Sequence, residues 1–125
     1  MSTNGKTVLL VEDNEDNRIV YSTILRHFGY SVTEALNGEE GIAKARSEKP
    51  DLILMDLSLP LIDGLAATRL IRKLPNLAKT PIIAVSAHDT DDFLAEALGA
   101  GCNSYITKPI DFSELEQLIA RELDK

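Results

Sequence analysis

The feature that most constrains this chain is an alternation: five short, largely β-branched runs are each followed by a longer stretch with helical spacing, and no Ser- or Pro-rich linker interrupts them. Residues 7–11 (TVLLV) form a continuous apolar strand, and the stretch after it places Ile19 or Val20, Ile24 and Phe28 on one helical face before Gly29 stops it. Residues 31–35 read as a more polar strand, after which Asn37 and Glu40 resemble a capping box opening a helix with Ile42 and Ala45 inward. Residues 51–55 are the clearest buried strand, followed by a turn at Pro60 and Asp63-Gly64 and a helix with Ala67, Leu70, Ile71 and Leu74 on its apolar side. Residues 81–85 repeat the form: Thr90 caps a helix with Phe93, Leu94, Ala97 and Leu98 inside, ended by Gly99 or Gly101. A short strand at 104–107 leads to a last helix opened by Asp111 and Glu114, with Leu115, Leu118, Ile119 and Leu123 at helical spacing.

Strands that alternate with helices in this way leave one economical topology, because parallel strands need right-handed crossovers and the helices must cover both faces of the sheet. The expected class is α/β, a doubly wound five-stranded parallel sheet. A length of 125 residues suits one core, so a single domain over 1–125 is expected, with its core at about 6–123.

The charge balance narrows the partners. With 20 acidic against 13 basic residues the formal net charge is -7, which repels nucleic-acid backbones and anionic lipid. The longest positive grouping, Arg69, Arg72 and Lys73, reads as the solvated face of one helix. Neither a signal peptide at MSTNGK nor a window of about 20 apolar residues is present, so a cytoplasmic protein without membrane insertion is expected. The single cysteine, Cys102, reads as a small semi-buried side chain, and His27 as a surface residue near a helix end.

In a parallel sheet the residues just after each strand share one rim. Those residues are Glu12 and Asp13, then Asp56, Ser86 and Lys108. Any of them alone reads as a cap or a loop charge. Their joint occurrence at four of the five strand ends does not follow from independent capping. Packed carboxylates repel one another unless a cation neutralises them, and oxygen ligands without thiolate or a suitably placed imidazole point to Mg²⁺. Phosphoryl transfer spreads charge over three equatorial oxygens, for which the metal, Lys108 and Ser86 offer one partner each. With no Ser/His or Cys/His pair evident, the attacking atom is a carboxylate oxygen, and Asp56 on the central strand is the candidate.

On these residues the chain resembles the response-regulator receiver domain over essentially its whole length, through VLLVEDN (8–14), DLILMDLSLPLIDG (51–64), PIIAVSA (81–87) and GAGCNSYITKP (99–109). The resemblance implies a flavodoxin-like (βα)5 fold with Asp56 as phosphoacceptor, Glu12, Asp13 and Asp56 as Mg²⁺ ligands, and Ser58 giving the metal a backbone carbonyl. It further implies Ser86 and Lys108 as the phosphoryl-contacting pair, a cis peptide between Lys108 and Pro109, and Ser86 with Tyr105 as the switch pair. Ser58 and His88 take the places that tune water access to the acyl phosphate. The phosphodonor would be a histidine kinase or histidine phosphotransfer protein. The downstream target would meet the face of the fourth helix, fifth strand and fifth helix of a monomer or weak dimer. Such a protein signals, and catalyses only its own phosphorylation and slow autodephosphorylation. EDNEDN (12–17) resembles receivers of hybrid kinases and phosphorelays more than those with DNA-binding output, and no output domain is expected.

The rivals are a receiver-like module that docks without phosphorylation, a receiver excised from a hybrid kinase, an aspartyl-phosphate phosphohydrolase and a flavodoxin-like cofactor binder. The phosphohydrolase reading lacks its second acid two residues after the nucleophile, where Ser58 stands. In the cofactor reading, Glu12 and Asp13 would repel the cofactor's phosphate.

Overall fold

The structure is a computed structural model, which describes residues 5–58, 63–87 and 90–124; the expected turn at Pro60 and the expected role of His88 lie outside the described residues. The elements run β1 (Thr7–Val11), α1 (Glu15–His27), β2 (Ser31–Ala35), α2 (Gly38–Glu48), β3 (Leu52–Asp56), α3 (Gly64–Arg72), β4 (Ile82–Ser86), α4 (Asp91–Ala100), β5 (Ser104–Thr107) and α5 (Phe112–Leu123). The strands form one sheet in the order β2-β1-β3-β4-β5, every neighbour parallel, as the alternation requires. Because β1 lies between β2 and β3, the winding reverses there, and the carboxyl ends of β1 and β3 are where a sheet of this order places a ligand site.

Two cores follow from the period of the strands. Leu9, Val11, Ile53, Met55, Ile82 and Ala84 face one side, with Ala45 of α2, Ala67 and Ile71 of α3 and Ala97 of α4. Val8, Leu10, Leu52, Leu54, Ile83 and Val85 face the other, with Tyr21 and Leu25 of α1 and Leu115, Leu118 and Ile119 of α5. Each large side chain so buried stabilises the fold by about 2 kcal/mol relative to exposure. That gain lets β3 end in a buried acid, since Leu52, Ile53, Leu54 and Met55 precede Asp56 with at most 1% exposure.

The central strands sit one residue later than the apolar runs suggest. Leu57 N–H donates to the Val85 carbonyl at 2.9 Å and Lys108 N–H to the Ser86 carbonyl at 2.8 Å, so the ladder carries through Asp56 and Ser86. Asp51 instead turns its carboxylate to the Thr7 N–H at 2.8 Å.

Three helix faces differ from the periodicity reading. In α1 the buried residues are Tyr21, Ser22 and Leu25, whereas Ile19 and Val20 face outward and Ile24 and Phe28 are half-buried. Tyr21 carries that face by packing edge-on against Phe112 of α5, at 6.3 Å between ring centroids. Leu70 of α3 is exposed, and its inward row is Gly64, Ala67, Thr68 and Ile71. In α4 only Ala97 and Ala100 are buried, with Phe93 half-buried, while Leu94 and Leu98 point away. That helix packs on α3 and on the edge strand β5, where small residues permit close approach. Asn37, Thr90 and Asp111 each cap their helix as expected, Gly101 at φ 119° rather than Gly99 ends α4, and Cys102 is buried.

Arg72 corrects the view of a solvated basic face. Its guanidinium donates to the Gly101 carbonyl at 2.8 and 3.0 Å, to the Leu77 and Thr80 carbonyls at 2.9 and 2.6 Å, and to Asn103 Oδ1 at 2.7 Å. Asn103 Oδ1 in turn accepts from the Ile82 N–H at 2.8 Å. One side chain therefore ties the end of α3 to the start of β4 and to the α4–β5 connection. Removing it strands several carbonyls, so Arg72→Ala should destabilise the protein by about 3 kcal/mol in urea unfolding, and Arg72→Lys should recover little because an ammonium cannot span these acceptors. Burial pushes the Cys102 thiol up from its ordinary value, which lowers its thiolate fraction. Iodoacetamide at pH 8 should therefore label the native protein at least about tenfold more slowly than the urea-unfolded chain.

Candidate functional site

Glu12 follows β1 directly. Its N–H donates to the Ala35 carbonyl at 3.0 Å and its Oε2 accepts from the Asn14 N–H at 3.1 Å, which holds the side chain at 1% exposure. Asp56 ends β3 at 3% exposure, its Oδ1 accepting from the Ser58 N–H at 2.9 Å. Asp13 is exposed, yet one carboxylate oxygen from each of Glu12, Asp13 and Asp56 falls within 4.8 Å of the others. Lys108, just after β5, brings Nζ to 3.4 Å from Asp56 Oδ2 and 3.8 Å from Glu12 Oε1. Its peptide bond to Pro109 is cis, and Ser86, fully buried, ends β4 beside it. Ser58 is exposed, and Tyr105 on β5 is half-buried against the α2–α3–α4 core. The rim thus gathers Glu12, Asp13, Asp56 and Lys108 into contact range, with Ser86 on the neighbouring strand end.

The electrostatics are those of a charge-unbalanced pocket. Burial above all pushes the Glu12 carboxyl up to about 7, with the neighbouring Asp56 adding to the rise and the Asn14 N–H and Lys108 opposing it. For Lys108, burial favours the neutral amine, but Asp56 and Glu12 together outweigh it and the ammonium is held above its ordinary value. Tyr21 lies close enough to feel the same charges; burial raises its phenol, Lys108 opposes, and Glu12 and Asp56 add to the rise. Among the described residues, Lys108 is the one cation that pairs with these carboxylates. An all-oxygen set with more negative than positive charge suits a hard divalent ion.

Two contributors escaped the sequence reading. A Cβ at Gly64 would lie 2.3 Å from the Asp56 carbonyl oxygen and 2.6 Å from Leu57 Cα, so only glycine lets α3 start directly against the site backbone. Tyr21, lost among polar α1 positions, lies near enough to Glu12, Asp56 and Lys108 for their charges to act on its phenol. The only sequence signal for Gly64 was its place after a strand-end turn, which does not reveal a tertiary approach.

A 2-1-3-4-5 parallel sheet whose strand ends bring together buried acids and a lysine defines an α/β protein with an acidic rim site. The family profile described as the response regulator receiver domain matches residues 8–120, and the chain belongs to that family. It is a signalling domain of two-component systems. The receiver domain of the sensor histidine kinase PA1611 from Pseudomonas aeruginosa, solved with a magnesium ion in its active-site cleft, superposes with a TM-score of 0.91 at 39% identity, covering 97% of this chain and 99% of that one. The polar-differentiation response regulator DivK of Brucella anthropi is 38% identical over 84% of this chain and 85% of its own length. Hybrid signal transduction histidine kinase G of Dictyostelium discoideum is 42% identical over 96% of this chain, which spans 4% of that protein. Among the described residues no helix is long and apolar enough to cross a membrane.

Because the Gly64 clash is with backbone, Gly64→Ala should cost about 2–4 kcal/mol in chemical unfolding and should perturb the amide resonances of Asp56 and Leu57.

Proposed function

We propose that this receiver accepts a phosphoryl group on Asp56 from a phosphohistidine of a kinase or phosphotransfer protein. The observation that carries the reading is Lys108 Nζ at 3.4 Å from Asp56 Oδ2, at a rim shared with Glu12 and Asp13. An Asp56 carboxylate oxygen attacks phosphorus, the P–N bond to the donor imidazole breaks, and an acyl phosphate forms. Lys108 donates to one phosphoryl oxygen and the Ser86 hydroxyl to another. Glu12, Asp13, Asp56 and the Ser58 carbonyl would hold Mg²⁺, which when bound neutralises the acids and shares the negative charge of the phosphoryl oxygens. The magnesium ion in the active-site cleft of the similar PA1611 receiver supports a divalent ion at this site.

Signalling follows from moving charge. A phosphoryl anion on Asp56 draws Ser86 and Lys108 inward, and the segment from β4 through α5 re-presents its surface, with Tyr105 turning into the space vacated. The outward Leu94 and Leu98 on α4 support a protein target on the α4–β5–α5 face. The relatives support this reading, as DivK is named a response regulator and the other is named a hybrid signal transduction histidine kinase, 4% of whose length this chain matches.

Incubation with acetyl phosphate and Mg²⁺ should add one phosphoryl group by mass spectrometry, and Asp56→Asn should abolish it. Continued uptake by that variant rules out the assignment. Lys108→Ala should slow phosphorylation by about 10²-fold, the usual scale for losing one donor aimed at developing charge. Replacing Mg²⁺ by excess chelator should stop incorporation and leave the fold intact by circular dichroism.

A further inference from the structure

Arg18 stands in the first turn of α1, beside Glu15 and Asp16, where the positive end of the helix dipole disfavours a cation. Its side chain is nevertheless mostly withdrawn from solvent, at 15% exposure. The geometry supplies the reason. Nη1 reaches back to the Glu12 carbonyl at 3.1 Å and the Asp13 carbonyl at 3.4 Å, the two peptide units from which the acidic side chains project. Nε lies 3.3 Å from Glu34 Oε1 on β2. Glu34 also meets Arg26 through Oε2, at 3.4 Å, on the far and more exposed side.

This arrangement separates two tasks. The guanidinium grips the backbone of the acidic loop, and its charge is matched by Glu34 rather than by Glu12 or Asp13. The loop is thereby fixed while its carboxylates remain available to a cation. We propose that Arg18, oriented by Glu34, is a positioning residue that presets the Glu12–Asp13 loop for divalent-cation binding. The inference rests on the reading of those acids as metal ligands. Partners that orient ligands without touching the metal commonly carry about 10–100-fold in affinity.

The test is a Mg²⁺ titration of the full chain, without phosphodonor, followed by the backbone amide shifts of Asp13 and Asn14. Arg18→Ala should weaken Mg²⁺ about tenfold, Glu34→Gln by a smaller factor and Arg18→Lys by an intermediate one. Combining Glu34→Gln with Arg18→Ala should add nothing further, since Glu34 acts through Arg18. Arg26→Ala, which leaves the loop contacts in place, should bind within about twofold of the parent. At saturating Mg²⁺, phosphorylation of Arg18→Ala by acetyl phosphate should return to within about twofold of the parent, a recovery that a damaged fold would not give. Parent-like Mg²⁺ affinity in Arg18→Ala, or fully additive effects in the double variant, overturns the positioning role. If Arg18→Ala does not fold, Arg18→Lys and Glu34→Gln decide, and parent-like affinity in both overturns it. A parent that takes up no Mg²⁺ defeats the metal reading itself and the inference with it; parent binding with unmoved variants defeats the inference alone.

Discussion

Two buried carboxylates, Glu12 and Asp56, lie at the ends of adjacent parallel strands, and the ammonium of Lys108 stands within 3.8 Å of both. Without that ammonium the two buried carboxylates would face each other with their repulsion uncompensated. The fold keeps them together because Asp56 ends β3 and Glu12 directly follows β1, two strands whose apolar side chains are buried on both faces. Moving either acid would require shifting a central strand of the sheet. The site is thus anchored by hydrophobic packing and held in electrostatic tension by its chemistry. Burial is the main reason the Glu12 carboxyl is pushed up to about 7, with Asp56 adding to the rise and the Asn14 N–H and Lys108 opposing it.

The same sheet ties the rim to more distant parts. The first residue of α3 lies against the Asp56 backbone, and Arg72 at its last turn grips Gly101 and Asn103 between α4 and β5. One helix therefore touches the acidic rim at one end and the approach to the proposed output surface at the other. Ser86 and Lys108 form a second connection, through the backbone bond between β4 and β5.

Much of this was legible in the sequence because β-strand and helix signals are local. The apolar runs located all five strands to within a residue, and their alternation fixed parallel pairing, which in turn brought Glu12, Asp13, Asp56 and Lys108 to one edge. What the sequence hid were properties set by neighbours. Leu70, Leu94 and Leu98 look like core by spacing, but α3 meets the sheet through Gly64, Ala67, Thr68 and Ile71, and α4 through Ala97, Ala100 and the half-buried Phe93. Ile19 and Val20 mislead in the same way, because Tyr21 supplies the inward stripe. Arg72 reads as a surface charge until its acceptors, as far as Asn103 Oδ1 31 residues away, are known. Gly64 reads as a turn residue until the Asp56 carbonyl is found where its Cβ would be.

The helices do not share the cost of displacement equally. α5 is fastened by Leu115, Leu118 and Ile119, all in the core, whereas α4 contributes two buried alanines and the side of one phenylalanine. Alanine contacts stabilise far less than leucine contacts, roughly in proportion to the area removed from water. Sliding or tilting α4 would forfeit little cohesion, and its larger apolar side chains already face outward. A charge change of modest size at the rim would consequently find its softest mechanical response in α4, while the scaffold that holds the acids stays rigid.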